Sequence, residues 1–420
     1  MSAHEIPVPI KHPYFTPGVK VIFAIFLAGA AAIAYRFIYG LGAVTNLDNG
    51  YGWGIWIAID VACGVALAAG GFTSAAIAEI FHKEKYHVIL RPALLTAMLG
   101  YTFVGFGVMV DLGRWYNIWH PMLPDMWQGN SALFEVGICV MTYVTVLYFE
   151  FFPIVIERFK NRVNLPAILA VLNKPIEAVL NIADKVLGKI GWVFIIAGVV
   201  LSCAHQSSLG TLMVLVPTKM HPLWYTHILP LLFLISAIAV GFPMVIFESI
   251  LASRSFKIKP ELPVLASLAR YTPILLGVYL ALKIGDLTIR EAWPYVFENS
   301  TESWLFTAEL VLGVIVPMVI LSIRKYRRTV GGLFTSATLV IGGVVLNRID
   351  VFLVAYTPLY QTKTYFPTIW EILVTSGCIA ALILIYRAFV MIFPVISLPA
   401  DEVARRANET TAKANFSRAQ

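Results

Sequence analysis

The chain consists mainly of long apolar runs separated by short polar stretches. A helix rises about 1.5 Å per residue, so about 20 apolar residues cross the roughly 30 Å of membrane hydrocarbon. The run at 267–287 is the weakest candidate, because Lys283 and Asp286 lie near its end. The pattern predicts an all-α polytopic membrane protein with ten transmembrane helices, at about 19–38, 53–79, 92–111, 132–153, 190–208, 227–249, 267–287, 304–323, 330–348 and 368–393.

The composition supports this class and excludes others. Of the 420 residues, 59% are apolar and 13% are charged, and the mean hydropathy is +0.79. Soluble proteins have roughly 45–50% apolar and about 25% charged residues. An ordinary soluble enzyme, a disordered chain and a nucleic-acid-binding domain are therefore excluded. No iron–sulfur cluster is expected in this chain, because the four cysteines lie in apolar runs without CxxC spacing: Cys63, Cys139, Cys203 and Cys378.

The basic residues are distributed unevenly between the two sides of the predicted bundle. If the N-terminus is cytoplasmic, 24 of the 31 Lys and Arg residues fall on the cytoplasmic side. The positive-inside rule then predicts that both termini are cytoplasmic, and it explains the net charge of +7 without a nucleic-acid partner. The predicted organisation is a cytoplasmic arm at 1–18, a membrane domain at 19–395 and a polar cytoplasmic tail at 396–420. An amphipathic surface helix is predicted around Ile176–Leu187.

The first apolar run has an alternative interpretation as a signal peptide. It extends from Val19 to Ala34 and carries small residues near its end, as a cleavage site requires. We favour a retained transmembrane helix, because the run continues directly into the YGLG stretch at 39–42.

Ionisable residues inside the spans are the candidates for function, because each costs at least about 2.5–3.5 kcal/mol to insert. The predicted outer half of the first five spans contains Asp60, Asp111, Glu135 and His205, with Arg114 just beyond the third span and Tyr101 near mid-depth. Toward the cytoplasm lie Glu79, Arg91, Glu150 and Glu248. The second half contributes Asp286, Arg290, Glu309, Arg348, Asp350 and Glu371 near the outer face.

Part of this set could serve the structure alone. Asp111 and Arg114 are three residues apart, and Arg348 and Asp350 are two apart, so each pair could neutralise itself at one helix end. Asp60 differs, because no cation lies within one turn of it on its own helix. Asp60 therefore needs either a partner on another helix or a bound proton that neutralises it.

His205 opens a polar run, HQSS, at the outer end of the fifth span. An imidazole can carry a proton near neutral pH, although a lone membrane histidine can equally be a packing residue. A six-coordinate b haem needs two facing histidines, and only His205 lies clearly inside a span; a pair with His227 stays open. We expect neither haem nor a metal site.

The second span is rich in glycine and carries Trp53 and Trp56. Glycine permits close helix packing, and it can also leave room for a flat ligand beside the indoles. The alternative is that both tryptophans belong to the aromatic belt at the membrane surface.

Eight stretches, in order along nearly the whole chain, carry a family resemblance: YGLGAVTNLDNGYGWGIWIAID at 39–60, RPALLTAMLGY at 91–101, VDLGRWYNIW at 110–119, NSALFE at 130–135, HQSSLGTLM at 205–213, KMHPLWYT at 219–226, VIFES at 245–249 and YFPTIWEIL at 365–373. They are similar to the HybB-type membrane subunit of NiFe hydrogenases, within the broader NrfD/polysulfide-reductase membrane-subunit family. Ten helices fit this branch better than the eight-helix relatives.

The resemblance implies a subunit of the bacterial inner membrane that has no redox centre of its own and reacts with membrane quinone, either menaquinone or ubiquinone. The implied partners are a ferredoxin-like iron–sulfur subunit and the small and large subunits of a NiFe hydrogenase, all on the periplasmic side. By similarity, the positions expected to handle protons or quinone are Arg91, Tyr101, Glu135 and His205. Asp60, Asp111 and Arg114 also match family-like positions.

Quinone reduction consumes two electrons and two protons, so its site needs a flat apolar slot, hydrogen-bond donors and a proton supply. We expect the headgroup near the outer surface, within the first five spans. Its predicted contacts are Asp60, Asp111, Arg114, Glu135, His205 and Trp53. A proton path toward the cytoplasm is hypothesised through Tyr101, Arg91, Glu79 and Glu150.

Three alternatives stay open at this point. The partner could be another periplasmic oxidoreductase, such as a polysulfide, nitrite or multihaem system. Buried acids serve proton-coupled transporters equally well, although no paired broken helices are evident in corresponding halves. A passive membrane anchor would tolerate neutral replacement of every intramembrane acid.

Overall fold

The computed structural model describes residues 5–359, 363–403 and 405. Within them, ten helices are long and apolar enough to cross a membrane, so the all-α prediction with ten spans is confirmed. We number the spans in chain order as α1 Pro17–Tyr39, α2 Trp56–Ile80, α3 His87–Asp111, α4 Ala132–Phe159, α5 Asn173–Val214, α6 Leu229–Phe256, α7 Tyr271–Ile289, α8 Thr301–Ser322, α9 Val330–Val354 and α10 Ile369–Ile392. Short helices lie at Leu262–Leu268, Trp293–Val296 and Arg324–Arg327.

The fifth helix differs most from its prediction. It has 42 residues, so it is about 63 Å long and extends well beyond the hydrocarbon layer. The helix predicted around Ile176–Leu187 is present, but it is not separate from the fifth span, because these residues form the first turns of α5. No proline lies between Pro175 and Pro217 to interrupt the helix. An ion pair of 2.7 Å between Lys160 Nζ and Asp184 Oδ2 holds the protruding part against the end of α4.

The two ends of the described chain pair with each other. Strand β1 (Glu5–Val8) runs antiparallel to strand β2 (Ile396–Pro399). The Arg387 guanidinium in α10 donates to the carbonyl oxygens of Pro13 at 2.7 Å and Tyr14 at 3.0 Å. Both ends therefore lie on one side of the membrane, which we call the terminal side; the opposite side is the far side. That the terminal side faces the cytoplasm stays a prediction from the charge distribution.

The predicted arm and tail are only partly covered by this pairing. Residues 396–399 of the predicted polar tail form β2, so the tail begins as a strand. Residues 1–4 of the arm, and residue 404 and those after 405 of the tail, lie outside the described residues.

Four segments of the described spans are wound as π-helix: Trp56–Cys63, Ala76–Ile80, Val311–Ile315 and Asp350–Val354. Such wide turns are rare and often occur at functional sites. Asp60 and Glu79 lie inside the first two, Asp350 begins the fourth, and Glu309 lies two residues before the third. The wide turns therefore coincide with acids in the spans, which the apolar pattern alone does not reveal.

Glycine pairs let neighbouring helices touch at the level of the backbone. A Cβ added to Gly29 would lie 2.4 Å from the Cα of Gly377, and one added to Gly313 would lie 2.5 Å from the Cα of Gly343. Small residues at helix crossings permit the close packing that drives association in lipid. The first pair fastens α1 to α10, and the second joins α8 to α9.

Glu261 gives a testable pH dependence at the terminal side. Burial, and then the nearby charge of Glu5, raises its pKa from 4.5 to about 8. The folded protein therefore holds this proton more tightly than the unfolded chain does. The stabilisation that protonated Glu261 contributes is complete at a pH below 4.5, its ordinary pKa. This stabilisation is lost as the pH rises through the pKa of about 8 in the folded protein. Between about pH 5 and pH 8, we expect the melting midpoint of Glu261→Gln to fall less than that of the wild type. Equal slopes for the two proteins would contradict this expectation.

Candidate functional site

A buried tyrosine–histidine pair lies between α3 and α5. Tyr101 and His205 are both 0% exposed, and the Tyr101 hydroxyl lies 2.7 Å from His205 Nε2. The other ring nitrogen, Nδ1, lies 2.6 Å from the carbonyl oxygen of Leu201. Because a carbonyl only accepts, Nδ1 donates, and Nε2 of the neutral ring accepts from Tyr101. The surroundings thus fix the tautomer of His205.

This pair can take up a proton without moving its heavy atoms. The Tyr101 hydroxyl also lies 3.3 Å from the carbonyl oxygen of Val65 and 3.5 Å from Ser202 Oγ. If a proton arrived at Nε2, His205 would donate to Tyr101, and Tyr101 would turn its own hydrogen toward Val65. The pair is therefore suited to relay one proton.

Glu135 extends this arrangement toward the far side. The Ser208 hydroxyl donates to Glu135 Oε1 at 2.7 Å, and Ser208 lies three residues after His205 on α5. Ser208 is buried, whereas Glu135 is exposed in the first turn of α4. Three of the predicted residues, Tyr101, Glu135 and His205, are thus brought together, and the group opens outward at Glu135.

The line of polar groups continues toward the terminal side as far as Glu150. The Tyr143 ring lies 4.6 Å from the Tyr101 ring and 5.6 Å from the His205 ring. Glu150 lies two turns further along α4, against Gly198, where an added Cβ would meet its Oε1 at 3.0 Å. Gly198 precedes His205 by seven residues, which places both on the same face of α5. Glu150 is therefore the next carboxylate on the terminal side of the pair.

A second group of acids lies between α1, α2, α3 and α10. Thr375 Oγ1 donates to Asp60 Oδ2 at 2.8 Å, so Asp60 has a partner on another helix, one of the two expected alternatives. Asp111 interacts electrostatically with Asp60 and with Arg36 of α1. Arg36 is 1% exposed, and its guanidinium donates to two backbone carbonyls at the end of α3, each at 2.6 Å. A buried cation from the first span therefore faces the carboxylate of the third.

Glu371 lies in the same region, where its hydrogen bonds connect the start of α10 with the segments that precede α10 and α2. Tyr365 OH donates to Glu371 Oε1 at 2.5 Å, and the backbone N–H of Thr368 donates to Oε2 at 2.8 Å. Tyr365 OH also accepts from the backbone N–H of Ile55 at 2.9 Å. Thr368 and Glu371 form a capping box at the start of α10. These contacts give Glu371 a structural role.

The two groups of residues are neighbours along α2. The Val65 carbonyl accepts from Tyr101 in one group and from Gln206 Nε2 at 2.9 Å. Asp60 of the other group lies five residues earlier, about 7.5 Å along the helix axis. Gln206 Oε1 is buried without a hydrogen-bond partner among the described residues. The predicted site residues thus form two adjacent clusters, joined through one turn and a half of α2.

Two predicted quinone contacts lie apart from these clusters on the far side. Arg114 is exposed and forms no ion pair with Asp111 among the described residues, because α3 ends at Asp111 and the chain then leaves the helix. The expected neutralisation of Asp111 by Arg114 is therefore not formed. Arg36 interacts electrostatically with Asp111, although its described hydrogen bonds go to backbone carbonyls. Trp53 is half-buried, with its ring 6.0 Å from Phe352 and 6.1 Å from Tyr356 at the end of α9.

Arg91 and Glu79 lie at the terminal end of the bundle. Arg91 forms an ion pair of 2.8 Å with Glu157, and Glu79 Oε1 lies 3.3 Å from His87 Nδ1. Arg91 precedes Tyr101 by ten residues, about 15 Å along α3. The structure thus places both at the terminal surface, away from the tyrosine–histidine pair.

A separate network of buried charges lies in the second half of the chain. Glu309 is 2% exposed and accepts from Trp224 Nε1 at 3.0 Å, Tyr279 OH at 3.2 Å and Asn347 Nδ2 at 2.9 Å. Lys283 Nζ lies 3.7 Å from the same carboxylate. Three neutral donors and one ammonium group therefore surround one buried carboxylate.

Arg348 joins this network from α9. Its NH1 donates to Asn347 Oδ1 at 2.5 Å, and its guanidinium lies 3.7 Å from the centre of the Phe233 ring. The expected pairing of Arg348 with Asp350 is not formed. Asp350 begins a π turn, and its carboxylate has no hydrogen-bond partner among the described residues, although it interacts electrostatically with Glu309.

Sequence reasoning missed four contributors to these clusters. Arg36 lies three residues before the end of α1, where a cation resembles an ordinary interfacial residue. Thr375 is neutral and gave no signal inside an apolar helix. Tyr143 was hidden because aromatic residues are common in spans. Only Ser208 carried a usable signal, as part of the polar run that begins at His205.

These features define a class: a multi-pass membrane protein with titratable side chains buried in both halves of a ten-helix bundle. No group of three or more histidine, cysteine, aspartate or glutamate side chains suited to a metal lies in the described part. A family model described as polysulphide reductase, NrfD, matches residues 43–359. The chain therefore belongs to the NrfD family, as its eight stretches predicted.

Curated relatives span almost the entire chain. A protein of Nitratidesulfovibrio vulgaris is 35% identical over 390 residues, covering 91% of this chain and 95% of that protein. The probable Ni/Fe-hydrogenase 2 b-type cytochrome subunit of Escherichia coli is 31% identical, covering 93% and 95%. The integral membrane subunit of a menaquinone reductase from N. vulgaris is 26% identical, covering 90% and 92%.

The name of the E. coli relative includes the term b-type cytochrome, which implies a haem, commonly bound between two histidines. Both ring nitrogens of His205 are already engaged, with Tyr101 and with the Leu201 carbonyl. His227, the partner left open by the sequence, is exposed at the far-side end of the bundle. His205 and His227 therefore do not fit as the two ligands of a buried haem in this structure.

Proposed function

We propose that this chain is the quinone-reactive membrane subunit of a multi-subunit oxidoreductase in the bacterial inner membrane. Membership of the NrfD family supports a membrane-subunit role. The names of two relatives, a hydrogenase subunit and a menaquinone reductase subunit, support redox chemistry linked to quinone. A hydrogenase is the favoured partner, and another periplasmic oxidoreductase is the closest alternative.

The observation that carries this proposal is that two hydrogen-bonded pairs, Tyr101–His205 and Ser208–Glu135, lie within one turn of each other on α5, and we infer that they form a proton relay. Reduction of a quinone to a quinol takes up two electrons and two protons, and the reverse reaction releases them. The electrons come from an iron–sulfur subunit of the partner complex, since this chain holds no cysteine cluster in its described part. The protons must come from side chains at the headgroup. A histidine with an adjustable hydrogen bond to tyrosine, and a carboxylate open to the outside, supply that chemistry.

The proposed site lies at the far-side end of α4 and α5. Glu135 contacts the quinone headgroup there, and the Tyr101–His205 pair behind it relays a proton to the site. During reduction the second proton travels toward the headgroup from Glu150 on the terminal side, and it travels back in the reverse reaction. The wall of the proposed quinone site on the α2 side includes Asp60, Asp111 and Trp53. Arg91 and Glu79 act at the terminal surface, where the proton path would open.

The partners are expected on the far side, which the charge distribution predicts to be periplasmic. A ferredoxin-like iron–sulfur subunit would dock there and connect the site to the hydrogenase small and large subunits. Membrane lipid surrounds the bundle, and nucleic acid has no role. Electrons would then travel only a short distance from the last cluster to the far-side quinone.

The test is isolation of the intact complex from membranes in mild detergent. We expect an iron–sulfur subunit and a hydrogenase pair to co-purify, and extraction to yield membrane quinone. Hydrogen-dependent reduction of a soluble quinone analogue should accompany them. Co-purification of a different oxidoreductase would keep the quinone role and replace the hydrogenase. Isolation without any redox subunit or quinone would contradict the proposal.

The network around Glu309 favours one second candidate, a proton-coupled transporter. Buried lysine, arginine and unpaired aspartate in a membrane bundle also mark substrate and ion pathways. Uptake of a solute by the purified chain in vesicles, driven by a pH gradient and without a redox partner, would support that alternative. A passive anchor is the remaining possibility, and it predicts that Glu135→Gln leaves the activity of the complex unchanged.

A further inference from the structure

An open cavity of about 600 Å³ lies at the terminal side, outside both clusters of the proposed quinone site. It lies where the start of α3, the short helix Leu262–Leu268 and the connection between α8 and α9 come together. Four basic side chains line it: Lys85, Arg270, Arg327 and Arg328. They come from three separate segments of the chain, so the fold gathers positive charge around one concave surface.

This positive charge is not balanced by an ion pair with any described carboxylate. None of the four cations forms an ion pair within the part of the chain that the structure describes. The pKa of Arg327 is lowered, first by burial and then by the neighbouring Arg270, Arg324 and Arg328. Their only described side-chain hydrogen bonds go to neutral groups: Lys85 Nζ donates to Ser267 Oγ, and Arg327 NH1 to the Leu321 carbonyl, each at 2.7 Å. An anion in the cavity would relieve this mutual repulsion.

The rest of the cavity wall is apolar. Leu262, Pro263 and Val264 line it beside the cations. One helical turn deeper, Ile274 follows Arg270 by four residues and is 65% exposed, and Ile323 precedes Arg327 by four and is 44% exposed. The surface therefore changes from cationic at the membrane boundary to apolar inside the hydrocarbon.

We propose that this pocket is a specific binding site for an anionic phospholipid, with the phosphate held by Arg270, Arg327 and Arg328 and the acyl chains on the apolar wall below. The cationic rim could bind the phosphate of a lipid or a free phosphate ion. Only a lipid would also contact the apolar wall, through its acyl chains. A general excess of positive charge on this side requires only exposed cations. A concave cluster without counter-charges at the helix ends is the arrangement that binds anionic headgroups.

The test compares two double variants of equal charge on adjacent residues. Arg327→Gln with Arg328→Gln removes two cations that line the cavity. Arg324→Gln with Lys325→Gln removes two cations from the same short helix that do not line it. The purified full chain is titrated in detergent with phosphatidylglycerol or with phosphatidylcholine, and bound lipid is counted by native mass spectrometry. Melting midpoints are recorded with each lipid and with inorganic phosphate.

We expect the wild type and the control variant to retain phosphatidylglycerol in preference to phosphatidylcholine. The Arg327/Arg328 variant should bind phosphatidylglycerol about tenfold more weakly or worse, since each cation near an anionic lipid contributes appreciably. Arg270→Gln, on a different segment, gives a second test if the double variant does not fold. Equal binding of the two lipids, equal loss in both double variants, or equal stabilisation by inorganic phosphate would each overturn the proposal.

Discussion

Replacing His205 with alanine is expected to lower quinone-linked turnover of the complex by at least about 100-fold, while hydrogen oxidation with a soluble dye survives. The imidazole is the member of the relay whose Nε2 can accept the proton of the Tyr101 hydroxyl. Its loss also leaves the Tyr101 hydroxyl without its 2.7 Å partner. The dye reaction bypasses the membrane subunit, so it reports whether the complex is assembled.

Two further variants make this result specific. Tyr101→Phe removes only the hydroxyl and should reduce the same activity, while its ring continues to pack on Tyr143. His227→Ala is the matched control, because it removes an exposed histidine from the same bundle and should leave both activities intact. Equal loss of both activities in His205→Ala would indicate failed assembly. Unchanged quinone-linked turnover in a folded His205→Ala protein would rule out the relay.

The second large effect is expected at Glu309, where replacement by leucine should destabilise the folded chain by about 3–5 kcal/mol. This buried carboxylate faces Lys283 and receives hydrogen bonds from Trp224, Tyr279 and Asn347. Its removal would leave a buried ammonium group and three buried donors without their acceptor. A large fall in the melting midpoint of the detergent-solubilised chain would show this loss.

A double variant separates lost charge balance from lost packing. Glu309→Leu combined with Lys283→Met removes both charges, so the midpoint should fall less than the sum of the two single changes. Glu298→Ala is the control, because Glu298 is exposed in the loop before α8. A Glu309→Leu protein that melts with the wild type would show that this network does not hold the second half of the bundle together.

The far-side proposal and the lipid proposal concern opposite ends of the molecule. The relay opens at Glu135 in the first turn of α4, whereas the basic cavity lies beside Arg270 at the start of α7. Their tests are therefore independent. Loss of lipid binding without loss of quinone-linked turnover would leave the relay unaffected, and the reverse holds equally.

The apolar runs predicted all ten spans correctly, because the length of a membrane helix is set locally by the thickness of the hydrocarbon layer. The same local reasoning identified acids in the spans, since a charge in an apolar run is conspicuous. The same reasoning gave the wrong start for one helix, α5. The start of α5 was missed because the polar residues at 173–189 resemble a surface helix that is separate from the span, although an uninterrupted helix continues through them.

The membrane class, the number of spans, the family and most of the titratable positions follow from the amino-acid pattern alone. Which of these groups contact one another depends on how the helices pack. Asp111 faces Arg36 of a distant helix and not Arg114 beside it, Asp60 meets Thr375, and Asp350 does not pair with Arg348. The physical reason is that partners three residues apart interact only while the helix continues between them. Contacts between helices depend instead on packing, on close glycine crossings and on π turns, none of which a hydropathy pattern contains.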